Sequence, residues 1–162
     1  MVESGDLVWL DETTLLAGRG YRTNAAGIDQ LRFLLAIDGI DVIPAPLPYG
    51  PGPAGCLHLM SLMSLVDARV ALVDLPMLAV DTVEMLRERG FALIEIDPHE
   101  RGTLACNVLA LGNRRLLALE ENYRTNARLR EAGFDVRTFP GSHIAINGGG
   151  GPTCLTRPLL RA

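Results

Sequence analysis

Gly5-Asp6-Leu7-Val8-Trp9-Leu10, then Thr14-Leu15-Leu16-Ala17, then Arg22-Thr23-Asn24-Ala25, returns 101 to 102 residues later as Cys106-Asn107-Val108-Leu109-Ala110-Leu111, Leu116-Leu117-Ala118-Leu119 and Arg124-Thr125-Asn126-Ala127. A segment that recurs with its apolar runs in phase is a structural unit copied along the chain, and its period decides the architecture before any single element does. Between these copies, His58-Leu59-Met60 leads into the strand-like Ala68-Arg69-Val70-Ala71-Leu72-Val73 and the helical Val80-Asp81-Thr82-Val83-Glu84-Met85-Leu86-Arg87. The period is therefore about 50 residues. A fourth copy begins at Ile144-Ala145-Ile146-Asn147 and runs to Pro158-Leu159-Leu160.

Each unit reads as an apolar strand, a turn, a second apolar strand, an amphipathic helix closed by glycine, and a β-branched return strand. Gly39, Gly90 and Gly133 stop the helices, and Ile40-Asp41-Val42-Ile43, Phe91-Ala92-Leu93-Ile94 and Phe134-Asp135-Val136 follow them. The fold class is α/β, with modules burying their apolar faces on one another. Pro44 to Pro53 holds five prolines, which lack an N–H donor and fix φ. That stretch is expected to be a loop inside one domain covering residues 1–162.

The 162 residues are 48% hydrophobic, enough for a chain of this size to bury roughly 70% of its unfolded surface. A net charge of −4 and scattered basic residues argue against nucleic acid and membrane surfaces as partners. All fifteen cationic side chains are arginine. Schiff-base chemistry and a P-loop, which both need a lysine amine, are excluded. The longest apolar stretches, such as Leu31 to Ile37, fall well short of the roughly 18 residues that span a bilayer, and no signal peptide is expected before them. Cys56, Cys106 and Cys154 are odd in number and widely spaced, which suits reduced thiols in a cytoplasmic protein.

The chemistry-bearing residues sit at matching points of successive units. Glu3 and Asp6 open the first, His58 the second, Asn107 the third and Cys154 the fourth. If the units are related by rotation about a common axis, as propeller blades are, these positions face one central channel. A carboxylate, an imidazole, a carboxamide and a thiol then converge, a set sufficient for covalent attack by an activated cysteine on an electrophilic carbon. Gly148, Gly149, Gly150 and Gly151 precede the thiol and allow φ > 0 or close approach to main-chain N–H groups. His99, in a polar turn, and His143, between a Pro-Gly turn and a strand, read as surface histidines. Cys56 and Cys106 read as buried structural thiols. A zinc centre from Cys56, His58, Cys106 and Cys154 lacks a paired Cys-x-x-Cys element, so neither metal nor cofactor is expected.

Glu3-Ser4-Gly5-Asp6 resembles the Glu-x-Gly-Asp motif of the pentein superfamily, which includes arginine deiminases, amidinotransferases and dimethylarginine dimethylaminohydrolases. Arg22-Thr23-Asn24, Leu57-His58-Leu59-Met60 and Gly149-Gly150-Gly151-Pro152-Thr153-Cys154-Leu155-Thr156 are similar to further motifs of the group, in the same order. The resemblance implies a partial α/β propeller, with about three ββαβ modules and the start of a fourth out of five. It implies Cys154 as nucleophile, His58 as general acid/base and Glu3 as supporting carboxylate. Arg22, Asp6 and Asn107 would bind substrate, and Gly149, Gly150 and Gly151 would form the backbone loop. His58-Leu59-Met60 stands where deiminases have His-x-Asp, and Thr153 where they have histidine. Both departures favour the dimethylarginine branch, a hydrolase making citrulline and an amine.

A five-module ring at this period needs about 250 residues. The absent modules are expected to be N-terminal, supplied by association with a further segment or by a homo-oligomer, because an open ring exposes strand edges. Amidino transfer, arginine deimination and a non-catalytic binding module are the alternatives.

Overall fold

Each of the first three repeats folds into two antiparallel strands, a helix and a strand that returns parallel to the second. The computed structural model describes residues 1–55 and 57–156. Cys56 and the Pro158-Leu159-Leu160 end of the fourth copy lie outside the described residues. The chain divides into two compact units, Met1–Leu62 with Pro76–Gly90, and Met63–Leu75 with Phe91 onward.

In the first unit β1 (Leu7–Asp11), β2 (Thr14–Arg19) and β3 (Asp41–Pro46) form one sheet in that order. The run Leu15-Leu16-Ala17 is buried on both faces because β2 is the central strand. The helix α1 (Ala25–Leu35) starts where Asn24 Oδ1 accepts the Gly27 N–H at 2.9 Å. A short 3-10 turn extends it to Gly39, whose φ of +71° ends it as glycine alone does cheaply. Leu15, Ala17, Ile28 and Val42 make the core between α1 and the sheet. The helix α2 (Val80–Glu88) also belongs to this unit, where Arg89 donates to Thr14 Oγ1 at 3.2 Å.

The second unit holds two sheets. One is β4 (Met63–Asp67), β5 (Val70–Val73) and β6 (Ala92–Glu95), and the other is β7 (Leu109–Ala110), β8 (Arg115–Leu119) and β9 (Asp135–Phe139). The helix α3 (Tyr123–Glu131) crosses between β8 and β9 and buries Leu129 with Leu72, Val108, Leu116 and Phe134. Leu116 is fully buried, so Leu116→Ala is expected to cost about 2–5 kcal/mol of unfolding free energy. Denaturant unfolding of the variant checks this.

Gly90 and Gly133 repeat the left-handed helix stop of Gly39, with φ of +78° and +87°. Four expectations change. The loop expected from Pro44 begins at Leu47, because β3 runs through Pro44 and Pro46, paired with Ala17 and Arg19. Asp41 N donates to Thr13 O and Leu47 N to Arg19 O, so odd-numbered residues of this parallel edge strand face β2. Prolines at even positions surrender no ladder bond. The strand expected over Ala68–Val73 starts at Val70, as β5, because Ala68 and Arg69 are the turn that joins it to β4. Ile144–Asn147 is no strand. Ser142–Ile146 is a π turn in which Ala145 and Ile146 both donate to Gly141 O at 2.9 Å, satisfying locally what a strand would offer a neighbour. The twin segments at Arg22 and Arg124 differ too. Asn24 caps α1, whereas Asn126 lies inside α3.

Candidate active site

Glu3, His58 and Asn107 sit in the turns that lead into the first strand of the first three repeats, and Cys154 sits in a turn of the fourth. Glu3 is extended, and its carbonyl closes a turn on the Asp6 N–H at 3.0 Å. His58 does the same with Ser61 at 2.9 Å. Within the first unit these turns meet, with His58 Nε2 lying 2.7 Å from Glu3 Oε2. A carboxylate only accepts, so neutral His58 carries its proton on Nε2. Gly5 makes the approach possible, because a Cβ there would stand 2.7 Å from the imidazole Cγ and Nδ1.

Glu3 is held from three sides. Its N–H donates to Thr23 Oγ1 at 3.0 Å, Arg22 Nε donates to its carboxylate at 3.0 Å, and His58 supplies the third bond. The His58 bond first and the Arg22 bond second hold its carboxyl below the ordinary carboxylate value. Thr23, fully buried, is a positioning residue that the Arg22-Thr23-Asn24 motif contains without disclosing its bond.

Asp6, expected to bind substrate, is fully buried, and its Oδ1 accepts the Leu59 N–H at 2.9 Å. The Glu3 turn is thereby tied to the residue after His58. Oδ2 of Asp6 is also buried and has no hydrogen-bond partner among the described residues.

In the second unit Cys154 is exposed, and its N–H closes a turn on Gly151 O at 3.0 Å. Asn107 Nδ2 lies 3.2 Å from the sulfur. Asn107 Oδ1 accepts both the Thr153 N–H at 3.0 Å and the Thr153 hydroxyl at 2.7 Å. The glycines serve different ends. Gly149 takes φ of +68°, whereas a Cβ on Gly150 would meet Cys154 Cβ at 2.9 Å and one on Gly151 would meet Asn107 Cγ at 2.6 Å. Glu3, Asp6, Arg22 and His58 thus belong to the first unit, and Asn107, Gly149, Gly150, Gly151 and Cys154 to the second.

His99 and His143 are exposed, as the sequence suggests. Cys106 is buried, and that burial, with the Asp74 carboxylate adding to it, pushes its thiol far up. Iodoacetamide is therefore expected to alkylate Cys154 in the folded chain and leave Cys106 untouched until denaturation, as peptide mapping would report. Arg124 is exposed at the start of α3, yet its surroundings copy those of Arg22. The Asp97 N–H donates to Thr125 Oγ1 at 2.9 Å, and Arg124 stands 3.7 Å from the Asp97 carboxylate.

The sequence profile described as arginine deiminase matches residues 70–161, more than half of the chain. The chain belongs to the arginine deiminase family. It is accordingly a pentein-superfamily chain, as its motifs imply. Among curated members and relatives it is 29% identical over 160 residues to the uncharacterized protein YkgA of Bacillus subtilis (strain 168), covering 99% of this chain and 52% of that one. It is 28% identical over 191 residues to the arginine deiminase of Mycobacterium bovis (strain BCG / Pasteur 1173P2), covering 99% and 46%. The chain spans about half the length of the curated relatives it matches.

Solved structures share the fold of this arginine deiminase family chain. A cysteine-to-serine mutant of DDAH from Pseudomonas aeruginosa, complexed with citrulline, superposes with a TM-score of 0.70 at 22% identity over 93% of this chain and 52% of that one. The N-terminal domain of ArgZ, an arginine dihydrolase from Cyanobacteria bound to substrate, gives 0.75 at 21% identity over 94% and 54%. The shared fold is mixed α/β with small sheets.

Proposed function

We propose that this chain carries the nucleophile and the acid/base of a hydrolase that cleaves a C–N bond of a guanidino substrate, methylated arginine being the substrate class. The observation that supports it most is the Glu3–His58 pair, an imidazole oriented by a carboxylate that is itself braced by Arg22 and Thr23. An imidazole held this way is fixed in orientation, and its cationic form is stabilised by the carboxylate.

In this reading the Cys154 thiolate forms a C–S bond to the guanidinium carbon. The tetrahedral adduct breaks one C–N bond, and the amine departs with a proton from His58. Water then attacks the S-alkylthiouronium while His58 takes its proton, and cleavage of the C–S bond returns the thiolate and releases citrulline. Arg22, whose planar guanidinium suits a carboxylate, would bind the α-carboxylate of the amino acid. We further read the three repeats and the Cys154 turn as blades of an α/β propeller forming one catalytic domain. Its remaining modules would come from a further segment or a second copy. Among the described residues no helix is long and apolar enough to cross a membrane, and free thiols suit a reducing, cytoplasmic setting.

Product analysis tests the reading. The chain, alone and supplemented with the remainder of the Bacillus subtilis relative, is given methylated arginine with and without added glycine. Citrulline and the alkylamine are expected in both cases. A new guanidino compound formed from glycine would make it a transferase, and no product from any guanidino compound in either preparation would overturn the proposal.

A further inference from the structure

The buried polar residues Asp6 and Asn107 occupy the same place in two repeats. Trp9 pairs with Leu15 and Ala110 with Leu116, and Leu15 and Leu116 pair in turn with Val42 and Val136 of the return strands. Asp6 and Asn107 each stand three residues before the matching strand position. Each directs Oδ1 at a backbone N–H of the next reactive turn, Leu59 beside His58 in one case and Thr153 beside Cys154 in the other. Each is packed against a glycine that tolerates no Cβ, Gly18 for Asp6 and Gly151 for Asn107. Substrate contact explains none of this, since Asp6 is fully buried and Asn107 is 7% exposed.

The two differ in what the rest of the side chain offers. Asp6 presents a second oxygen, whereas Asn107 presents an amide donor to sulfur at 3.2 Å. The Thr153 N–H and hydroxyl both donate to Oδ1, so reversing the amide would set donor against donor at the Thr153 N–H. The N–H therefore has one place to point. An N–H donor beside sulfur favours the thiolate, while a carboxylate there would oppose it.

We propose that Asn107 acts on the nucleophile, its amide N–H stabilising the Cys154 thiolate while its carbonyl holds the turn that presents the sulfur. This rests on Cys154 being the nucleophile. Asn107→Asp separates the two functions because it is nearly isosteric and still accepts from Thr153, but it replaces the donor with an anion.

The test is the alkylation rate of Cys154 by chloroacetamide near neutral pH, together with ultraviolet thiolate absorbance read against Cys154→Ser and a melting curve. Asn107→Asp is expected to melt like the native chain, to alkylate about tenfold more slowly and to lose thiolate absorbance. Equal rates and absorbance would overturn the inference while leaving a reactive Cys154 and the proposed hydrolase standing. The new carboxylate alone opposes the thiolate, so the charge-free Thr153→Val is measured beside it, and a merely structural Asn107 predicts an unchanged rate there. If Asn107→Asp does not fold, Thr153→Val decides alone. It removes the hydroxyl that helps orient the amide and is expected to slow alkylation, and an unchanged rate would overturn the inference. Cys154 that reacts in the native chain no faster than in the denatured chain would overturn this inference and the nucleophile assignment together.

Discussion

Cys154→Ser is expected to lower turnover of the guanidino substrate by roughly four orders of magnitude or more while leaving the melting temperature nearly unchanged. The loss is large because a serine hydroxyl stays protonated where a thiol ionises, and an un-ionised hydroxyl is a far weaker nucleophile. Stability is spared because Cys154 is exposed and fills no core space. Its turn is held by the Gly151 carbonyl and by Asn107 through Thr153, none of which needs sulfur. Initial rates of citrulline release beside a melting curve would check both halves. Persistent turnover would remove the covalent route.

His58→Ala is expected to cost about 10²- to 10⁴-fold in turnover, the usual worth of a positioned acid/base. Its signature is selective. Substrates whose leaving group departs without a proton should still form the covalent adduct on Cys154 but hydrolyse it slowly, whereas alkylamine substrates should lose adduct formation as well. The Glu3 carboxyl is held low by His58 and then Arg22, so Glu3 stays ionised and the pairing is in place above the ordinary carboxylate value. That pairing is lost only as pH falls through the lowered value in the folded protein. Adduct formation on Cys154 against leaving group, measured in stopped assays, checks the assignment, and an equal loss of adduct formation across leaving groups would argue that His58 only braces the fold.

The architecture was legible because it is written in apolar period and glycine punctuation. Leu15, Leu72 and Leu116 announce central strands, and Gly39, Gly90 and Gly133 mark helix ends whatever surrounds them. Less was legible where hydrogen-bond direction decides. Pro44 and Pro46 break a strand only if their nitrogens face the neighbour, and the sequence does not say which way β3 turns its even residues. Ile144-Ala145-Ile146 has strand composition, yet Gly141 offers its carbonyl to two amides at once. The twin Arg-Thr-Asn segments look identical, but one precedes a helix and the other lies within one.

At the candidate site the split is similar. Residue types and their phase pick out Glu3, His58 and Cys154, since few side chains perform that chemistry. The roles of Asp6, Thr23, Asn107 and Thr153 are bonds between side chains and distant main-chain amides, which no local motif records. For Asp6 and Asn107 the family resemblance implies substrate contact. Burial and the Leu59 and Thr153 amides point instead to the turns themselves.

The most direct measurement compares two alkylating agents of nearly equal shape, cationic chloroacetamidine and neutral chloroacetamide, with adduct sites read by peptide mapping. A cysteine placed to attack a guanidinium carbon should take the amidine at Cys154 much faster than the amide, with Cys106 unmodified. Equal rates for the two reagents, or labelling spread without preference among the cysteines, would contradict the account.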